Sequence, residues 1–438
     1  MTPRVRARFP NRSRGTHRAR RTRSHVTALL LVAAGALLGW SLPRWERHLP
    51  EAGLTFDAST AQVTLGAIAG GMITLAGFVV TAITLVVQTV QSMSPRLVAA
   101  LGHFSRYLVL FGLLIGTALY ALVALSQIRG EDVPRLSVTF AVGLVLVDAV
   151  TVLSLLASLR HAVTGGGLAR AVGERLRAVV DQAYPADTEA PVRGPYVDQP
   201  DGRLPVLHRG RPSVIVALDE PRLTRLASRN DVRVRFVHAV GDFVGSGTTV
   251  AYVEPPEGQD TDRARHERLA RHVAACVRFG PSRTVEQDAA YGFRLLADIA
   301  IRALSPAVND PTTAVQALDQ IEDALLRLSD RPLGPAWLVD RRGRPRVHSP
   351  APHWPDLVSL ALDETLLYGA ANPQVVRRLH ALFDHLLAVT TDARTAPVVE
   401  RRQALERLAA TALSDPLLNA IAARADPRGL GGAVAGSD

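Results

Sequence analysis

The chain has 438 residues, 47% of them hydrophobic, and a positive mean hydropathy; this fits a membrane unit joined to one or two soluble domains and excludes a soluble enzyme with a stray anchor. Its net charge of +10 comes mainly from Met1 to His25, which holds nine arginines and no acid and leaves about +1 elsewhere, so the charge argues against nucleic acid and for a basic tail. No lysine is present, which excludes phosphate-loop, Schiff-base, biotinyl and lipoyl lysines, and the single cysteine, Cys276, excludes an intrachain disulfide and multi-cysteine zinc or iron-sulfur sites.

The tail, residues 1–25, precedes a first apolar span and is expected in the cytoplasm, beside anionic lipid. Trp40, Ser41, Leu42 and Pro43 do not form the small-residue cleavage site of a secretory leader. Four spans are predicted within a transmembrane domain at 26–160: about 26–42, 61–91, 107–128 and 136–159. Arg96 and Arg106 lie between the second and third, whereas the flanking loops mix arginine with acid, which puts both termini inside an inner (cytoplasmic) membrane. The lone thiol agrees with a reducing compartment for the C-terminal part.

The second span carries no charge from Ala61 to Gln91, yet Gly70, Thr74, Gly77, Thr81, Thr84, Gln88 and Gln91 recur through it at three-four spacing. Lipid gives no reward to hydroxyls and amides, so this stripe is expected to face another helix or water. Gly66 with Gly70, and Gly112 with Gly116, predict close approach of the second and third helices. Asp148 lies near the middle of the fourth span with no arginine or histidine at its depth. It is read as a protonated group bonded to hydroxyls such as those of the second helix, or as part of a proton or cation pathway.

Beyond the membrane, residues 161–211 are predicted as a helix over Leu168 to Gln182 and a Pro- and Gly-rich linker. Residues 212–255 hold short β-branched runs at Pro212–Asp219, Asp231–Val240 and Thr248–Glu254 around the turn Gly241-Asp242-Phe243-Val244-Gly245-Ser246-Gly247, which predicts a small β-barrel-like unit. That unit resembles biotinyl and lipoyl carriers, but without lysine it carries nothing and serves as an adaptor or a ligand turn. Residues 262–425 read as a helical domain, with helices at 262–278, 284–304, 311–328, 355–368, 373–390 and 396–414, and 426–438 as a disordered tail. A short hairpin is expected at Arg342 and Gly343 within the loop 331–354. The predicted fold class is therefore membrane α-helical with four transmembrane helices, followed by a cytoplasmic α+β region.

Candidate site residues cluster at Arg283, Thr284, Gln287 and Asp288 and then along Asp298, Arg302, Ser305, Asn309, Asp310, Thr312 and Thr313. Arg294, Asp298 and Arg302 form an alternating charged stripe, which as a solvated face contributes only some tenths of a kcal/mol per pair. Asp310 and Pro311 read as N-cap and first helical residue; Asn309, Thr312 and Thr313 leave room for an anion at the exposed amides. His266 and His272 are six apart, off one helical face for zinc, and no Gly-x-Ser-x-Gly elbow or dinucleotide fingerprint occurs, so no metal, cofactor or catalytic constellation is predicted.

Ser94-Pro95-Arg96, Gly241-Asp242-Phe243-Val244, Arg283-Thr284 with Gln287-Asp288, and the run from Arg302 to Ala314 together resemble the bacterial predicted membrane proteins of domain of unknown function family 2254, over about residues 26 to 390. The resemblance implies an integral membrane protein of bacteria with a cytoplasmic C-terminal part, and no established activity. From the residues, the chain is expected to be an oligomeric channel-like or gated transport protein in the lipid bilayer, with a cytoplasmic regulatory domain. The alternative is a non-conducting membrane-anchored sensor or scaffold that binds a small anionic ligand or a cytoplasmic protein.

Overall fold

A computed structural model describes residues 16–46, 48, 53–93, 104–128, 133–163, 165–185, 192–193, 203–255 and 263–430. The basic tail before Thr16 and the loop Ser94-Pro95-Arg96 lie outside the described residues, as do 431–438. The chain forms two compact units, residues 16–163 lying in one and 165–430 in the other.

Among the described residues the first unit has four helices, α1 (Thr16–Glu46), α2 (Ala58–Met93), α3 (Phe104–Leu125) and α4 (Arg135–Val163). Each has a segment long and apolar enough to cross a membrane: Ser24–Glu46, Ala58–Leu85, Tyr107–Leu125 and Arg135–Ala157. The first runs past the predicted end at 42 because Pro43 lies in the last turn, where only one main-chain hydrogen bond is forfeited. Trp40 and Arg44 stack there, with the guanidinium 4.1 Å from the ring centroid, as interface residues do.

The helix ends are locked by polar contacts. Glu46 accepts from the amides of Leu136 and Ser137 (2.5 and 3.0 Å) and from the Ser137 hydroxyl (2.8 Å), placing a carboxylate on the positive N-terminus of α4. Tyr120 on α3 donates to the Ser137 carbonyl at 2.9 Å. Ala61, Leu65, Ala69, Tyr120, Ala121, Ala124, Val138 and Ala141 fill one end of the interior, and Met72, Ala76, Val79, Leu110, Leu114 and Ala118 another region of it.

The glycine pairing differs from the sequence expectation. A Cβ on Gly112 would lie 2.7 Å from Ala28 Cα, one on Gly116 2.7 Å from the Leu31 carbonyl oxygen, and one on Gly35 2.0 Å from the Gly116 carbonyl oxygen, so these glycines join α3 to α1. A Cβ added at Gly66, Gly70 or Gly77 on α2 would meet no neighbouring atom of the described residues within 4 Å. Spacing identifies a surface that permits close approach, but not the helix that uses it.

The second unit begins with α5 (Gly165–Ala183) and continues with β1 (Val192–Arg193), β2 (Leu204–Leu207), β3 (Ser213–Leu218), α6 (Glu220–Asn230), β4 (Arg233–Phe236), β5 (Phe243–Val244), β6 (Thr249–Glu254), α7 (Arg263–Ala274) and β7 (Val277–Gly280). It ends with α8 (Ala289–Ala303), α9 (Pro311–Leu328), β8 (Ala336–Val339), β9 (Pro345–Ser349), α10 (Trp354–Gly369), α11 (Pro373–Val389), α12 (Asp392–Ala412) and α13 (Pro416–Ala422). Helix α5 buries Leu168, Ala169, Val172, Leu176 and Val180. It is docked rather than a free lead into a linker: Arg177 reaches Gln320 and Asp323 on α9, and Arg331 reaches the carbonyls of Val180 and Tyr184.

The strands form two sheets, in the orders β1-β8-β9-β4-β6-β2 and β5-β3-β7. Val206, Ile215, Leu218, Leu223, Val234, Phe236, Val250, Val253, Val273 and Val277 make their shared core with α6 and α7. The small β-barrel-like unit is not borne out, since among the described residues neither sheet closes. Strand β4 pairs in parallel with β9, Val234 with Val347, so a strand from the Pro- and Arg-rich loop enters the sheet that the local pattern had left as a separate unit. The β8–β9 hairpin turns at Gly343, whose φ is +75°, and Asp340 holds it through the amides of Arg342 and Arg344 and an ion pair with Arg346 (2.8 Å).

Asp426 is buried, its carboxylate accepting from the amides of Arg428 and Gly429, and its own amide bonds the Arg377 carbonyl. The segment to Leu430 is thus part of the fold, not a frayed tail.

Candidate functional site

Three groups of residues singled out by the sequence can be placed. On α2, Ala61, Leu65, Ala69, Met72, Ala76 and Val79 face the interior. At about 100° per residue, Gly66, Gly70, Thr74, Gly77, Thr81, Thr84 and Gln88 lie on the far side of the same helix. Thr74, Thr81, Thr84 and Gln88 are all exposed, flanked by the exposed apolar side chains of Val63, Phe78 and Leu85. The three hydroxyls bond carbonyls of their own helix: Thr74 to Gly70 (2.9 Å), Thr81 to Gly77 (3.1 Å) and Thr84 to Val80 (2.9 Å). Gln91 lies in the last turns of α2, and its side chain is outside what is described.

Asp148 is on α4, fully buried within the bundle, facing away from this stripe. Val145 and Val152, three residues before it and four after, pack against the cluster of Met72, Ala76, Val79, Leu110, Leu114 and Ala118, so the carboxyl shares an apolar interior face. The neighbouring hydroxyl is Thr117 of α3, not one from α2 as the sequence suggested. Thr117 is only 2% exposed, and apart from each other neither its hydroxyl nor the two Asp148 oxygens find a hydrogen-bond partner among the described residues.

The third group lies in the second unit and divides in two. Around β3, Gln287 imitates a strand partner, accepting from the Leu218 amide (2.9 Å) and donating to the Leu218 carbonyl (3.3 Å). Asp288 caps α8 through the Tyr291 amide (2.9 Å). Gly241, at φ +98°, runs so close that an added Cβ would lie 2.2 Å from an Asp288 carboxyl oxygen. Burial pushes the Asp288 carboxyl up to about 6; the Tyr291 amide and Arg283 oppose this, and Asp242 adds to it. The Thr284 hydroxyl is buried without a hydrogen-bond partner among the described residues, while Arg283 is exposed.

The other half is the corner between α8 and α9. Ser305 donates to the Arg302 carbonyl (2.8 Å) and its own carbonyl accepts from the amides of Val308 and Asn309. Asn309 takes a φ of +47°, after which the Asp310 amide returns to the Ala303 carbonyl at 2.7 Å. Asp310 then caps α9, accepting from the Thr313 amide (3.1 Å) and the Thr313 hydroxyl (2.5 Å). Arg302, Asn309 and Thr312 are exposed. Asp298 is bonded by Arg294 at 2.7 Å, and Arg294 also pairs with Glu364 of α10, so half of the charged stripe ties two helices.

The two halves are separated by the 15 residues of α8, about 22 Å at 1.5 Å per residue. The structure brings Gly241 and Asp242 to Asp288, and Ser305 to Thr313 around one corner, but does not bring these groups together. Sequence reasoning missed Thr117, whose signal was its place beside Gly116 on an otherwise apolar helix. It also missed the buried Arg378, which pairs with Asp319 and Glu322 while Glu322 accepts from His385. Only burial distinguishes that cluster from surface charge.

A family model described as predicted membrane protein (DUF2254) matches residues 21–385. An uncharacterized protein of Mycobacterium bovis and two of Mycobacterium tuberculosis strains are each 28% identical to the chain over 284 residues. The aligned part is 63% of this chain and 53% of each relative, so the chain spans about half the length of the curated relatives it matches. No solved structure matches.

Proposed function

The chain belongs to the DUF2254 family of predicted membrane proteins, and from that premise we propose that it is an oligomeric, channel-like or gated transport protein of the cytoplasmic (inner) membrane. In this reading both termini are cytoplasmic and the second unit regulates the membrane unit. One observation carries it: the small and polar residues of α2 lie on the face that the single-chain bundle leaves uncovered. Hydroxyls and an amide gain nothing from hydrocarbon, and glycines on that face allow backbones to approach. Second copies of α2 around a shared axis satisfy both, with Gln88 toward the cytoplasmic end.

A second reading rests on the hydroxyls themselves. Thr74, Thr81 and Thr84 are already bonded within α2, so they require no water. The same seam is then dry, and the protein is a membrane-anchored sensor or scaffold whose second unit binds a small anionic ligand or a cytoplasmic protein. Reconstitution into liposomes separates the two. Conduction predicts ion flux above that of empty vesicles and a change in flux with Gln88→Leu. Flux at background across pH and voltage, with Gln88→Leu silent, leaves the scaffold.

A further inference from the structure

We propose that Asp148 is a proton-binding site in the core of the membrane bundle, its carboxyl carrying a proton within the span and sharing it with the Thr117 hydroxyl. The site is independent of the α2 seam, since Asp148 faces the interior of a single chain. It lies 13 residues beyond Arg135, about 20 Å along α4, while the hydrocarbon layer is about 30 Å thick. Arg160 is almost as far in the other direction. No other charged residue occurs in 26–43, 61–91, 107–128 or 136–159, so no element packed against Asp148 offers a counter-charge at its depth. Tyr120, a titratable group one turn from Thr117 on α3, has its hydroxyl committed to the Ser137 carbonyl.

The chemistry of the surroundings selects the ligand. A hard metal cation needs about six oxygens, and the described residues offer three unpaired side-chain oxygens here: two from Asp148 and one from Thr117. Both residues are buried and, apart from each other, without hydrogen-bond partners among the described residues, which is a poor cage for a metal but sufficient for a proton. A neutral carboxyl needs one acceptor for its O–H, and the Thr117 oxygen can accept it while the threonine hydrogen turns to a carbonyl of its own helix. A bare carboxylate in the same place would have the Thr117 hydroxyl as its one neighbouring donor among the described residues, and no counter-charge. The proton can therefore leave only when water enters the bundle, which couples its release to a change in helix packing.

Infrared difference spectroscopy on the full chain in lipid tests this. At neutral pH the wild-type spectrum minus that of Asp148→Asn, a substitution of nearly equal shape, is expected to show the carbonyl band of a neutral carboxylic acid. Carboxylate bands in its place overturn the proposal. Thr117→Val, which leaves Asp148 intact, is expected to shift the acid band without removing it. An acid band absent from wild type, or unmoved by either substitution, overturns the proposal as well. Neither outcome depends on whether the chain oligomerises or conducts.

Discussion

Substituting Gly35 and Gly70 by leucine should separate the two kinds of glycine in the membrane unit. On α1, the first carbon added at Gly35 would sit 2.0 Å from the Gly116 carbonyl oxygen and 2.6 Å from its carbon. These are backbone atoms, so no side chain can swing aside. Restoring a normal contact of about 3.5 Å requires the helices to part by about 1.5 Å at this point. A gap of about 1 Å already forfeits up to half of a dispersion contact, and the same opening loosens Ala28 against Gly112 and Gly39 against Tyr120. Overpacking of this kind costs about 1 to 3 kcal/mol, and the full leucine side chain makes it worse. A Cβ added at Gly70 would meet no neighbouring atom of the described residues within 4 Å, so Gly70→Leu should leave the single-chain bundle intact. Heating detergent-solubilised protein and measuring what survives on size exclusion, with light scattering for mass, reads both effects. Gly35→Leu is expected to lower the surviving fraction at a given temperature. Gly70→Leu is expected to keep the heat stability of one chain but reduce the mass to that of one chain. A Gly35→Leu variant as stable as wild type would refute the close α1–α3 contact, and a Gly70→Leu variant of unchanged mass would refute the seam on α2.

Two further predictions concern the second unit. Asp288 is nearly buried and its carboxyl is raised from 3.8 to about 6, so its contribution to stability is fully present below about 3.8 and is lost as pH rises through about 6. Asp288→Asn keeps the N-cap and removes the charge, so its stability relative to wild type should rise by up to about 3 kcal/mol between pH 4 and 7 in denaturant unfolding; a pH-independent difference contradicts this. Glu322 pairs with the buried Arg378 and bonds His385 at 2.5 Å. Glu322→Gln should lower stability by about 2 to 3 kcal/mol, because the half-exposed Asp319 is then the one carboxylate paired with Arg378 among the described residues, and an unchanged unfolding midpoint would show the pair to be unimportant.

What the sequence disclosed follows the range of the interactions concerned. The four spans were legible because hydropathy is a sum over one segment, and the start of α9 was legible because Asp310, Pro311 and Thr313 act within one turn. The start of α8 was not. Its periodicity extends back to Thr284, but Gln287 is drawn into hydrogen bonds with Leu218, and the helix begins after the Asp288 cap. The partnership of β4 with β9 crosses more than a hundred residues, and no local pattern encodes it. For the same reason Gly112 and Gly116 could be recognised as a contact surface while α1, their partner, could not. At the candidate sites the residues were found but their grouping was not. The stripe on α2 was read as facing a helix or water, and the bundle gives its direction only as outward from one chain. The partner of Asp148 was sought on α2, whereas Thr117 stands on α3.

The central claim is that the outward face of α2 meets the same face of another copy. Cysteine cross-linking in native membranes tests it most directly, because the only native thiol, Cys276, is buried in the second unit. Thr81→Cys and Thr74→Cys should give chains joined in pairs on mild oxidation or with a short bifunctional thiol reagent, while Val79→Cys, which faces the interior of its own bundle, should not. Single chains at both threonine positions under conditions that modify the introduced thiols would contradict the account.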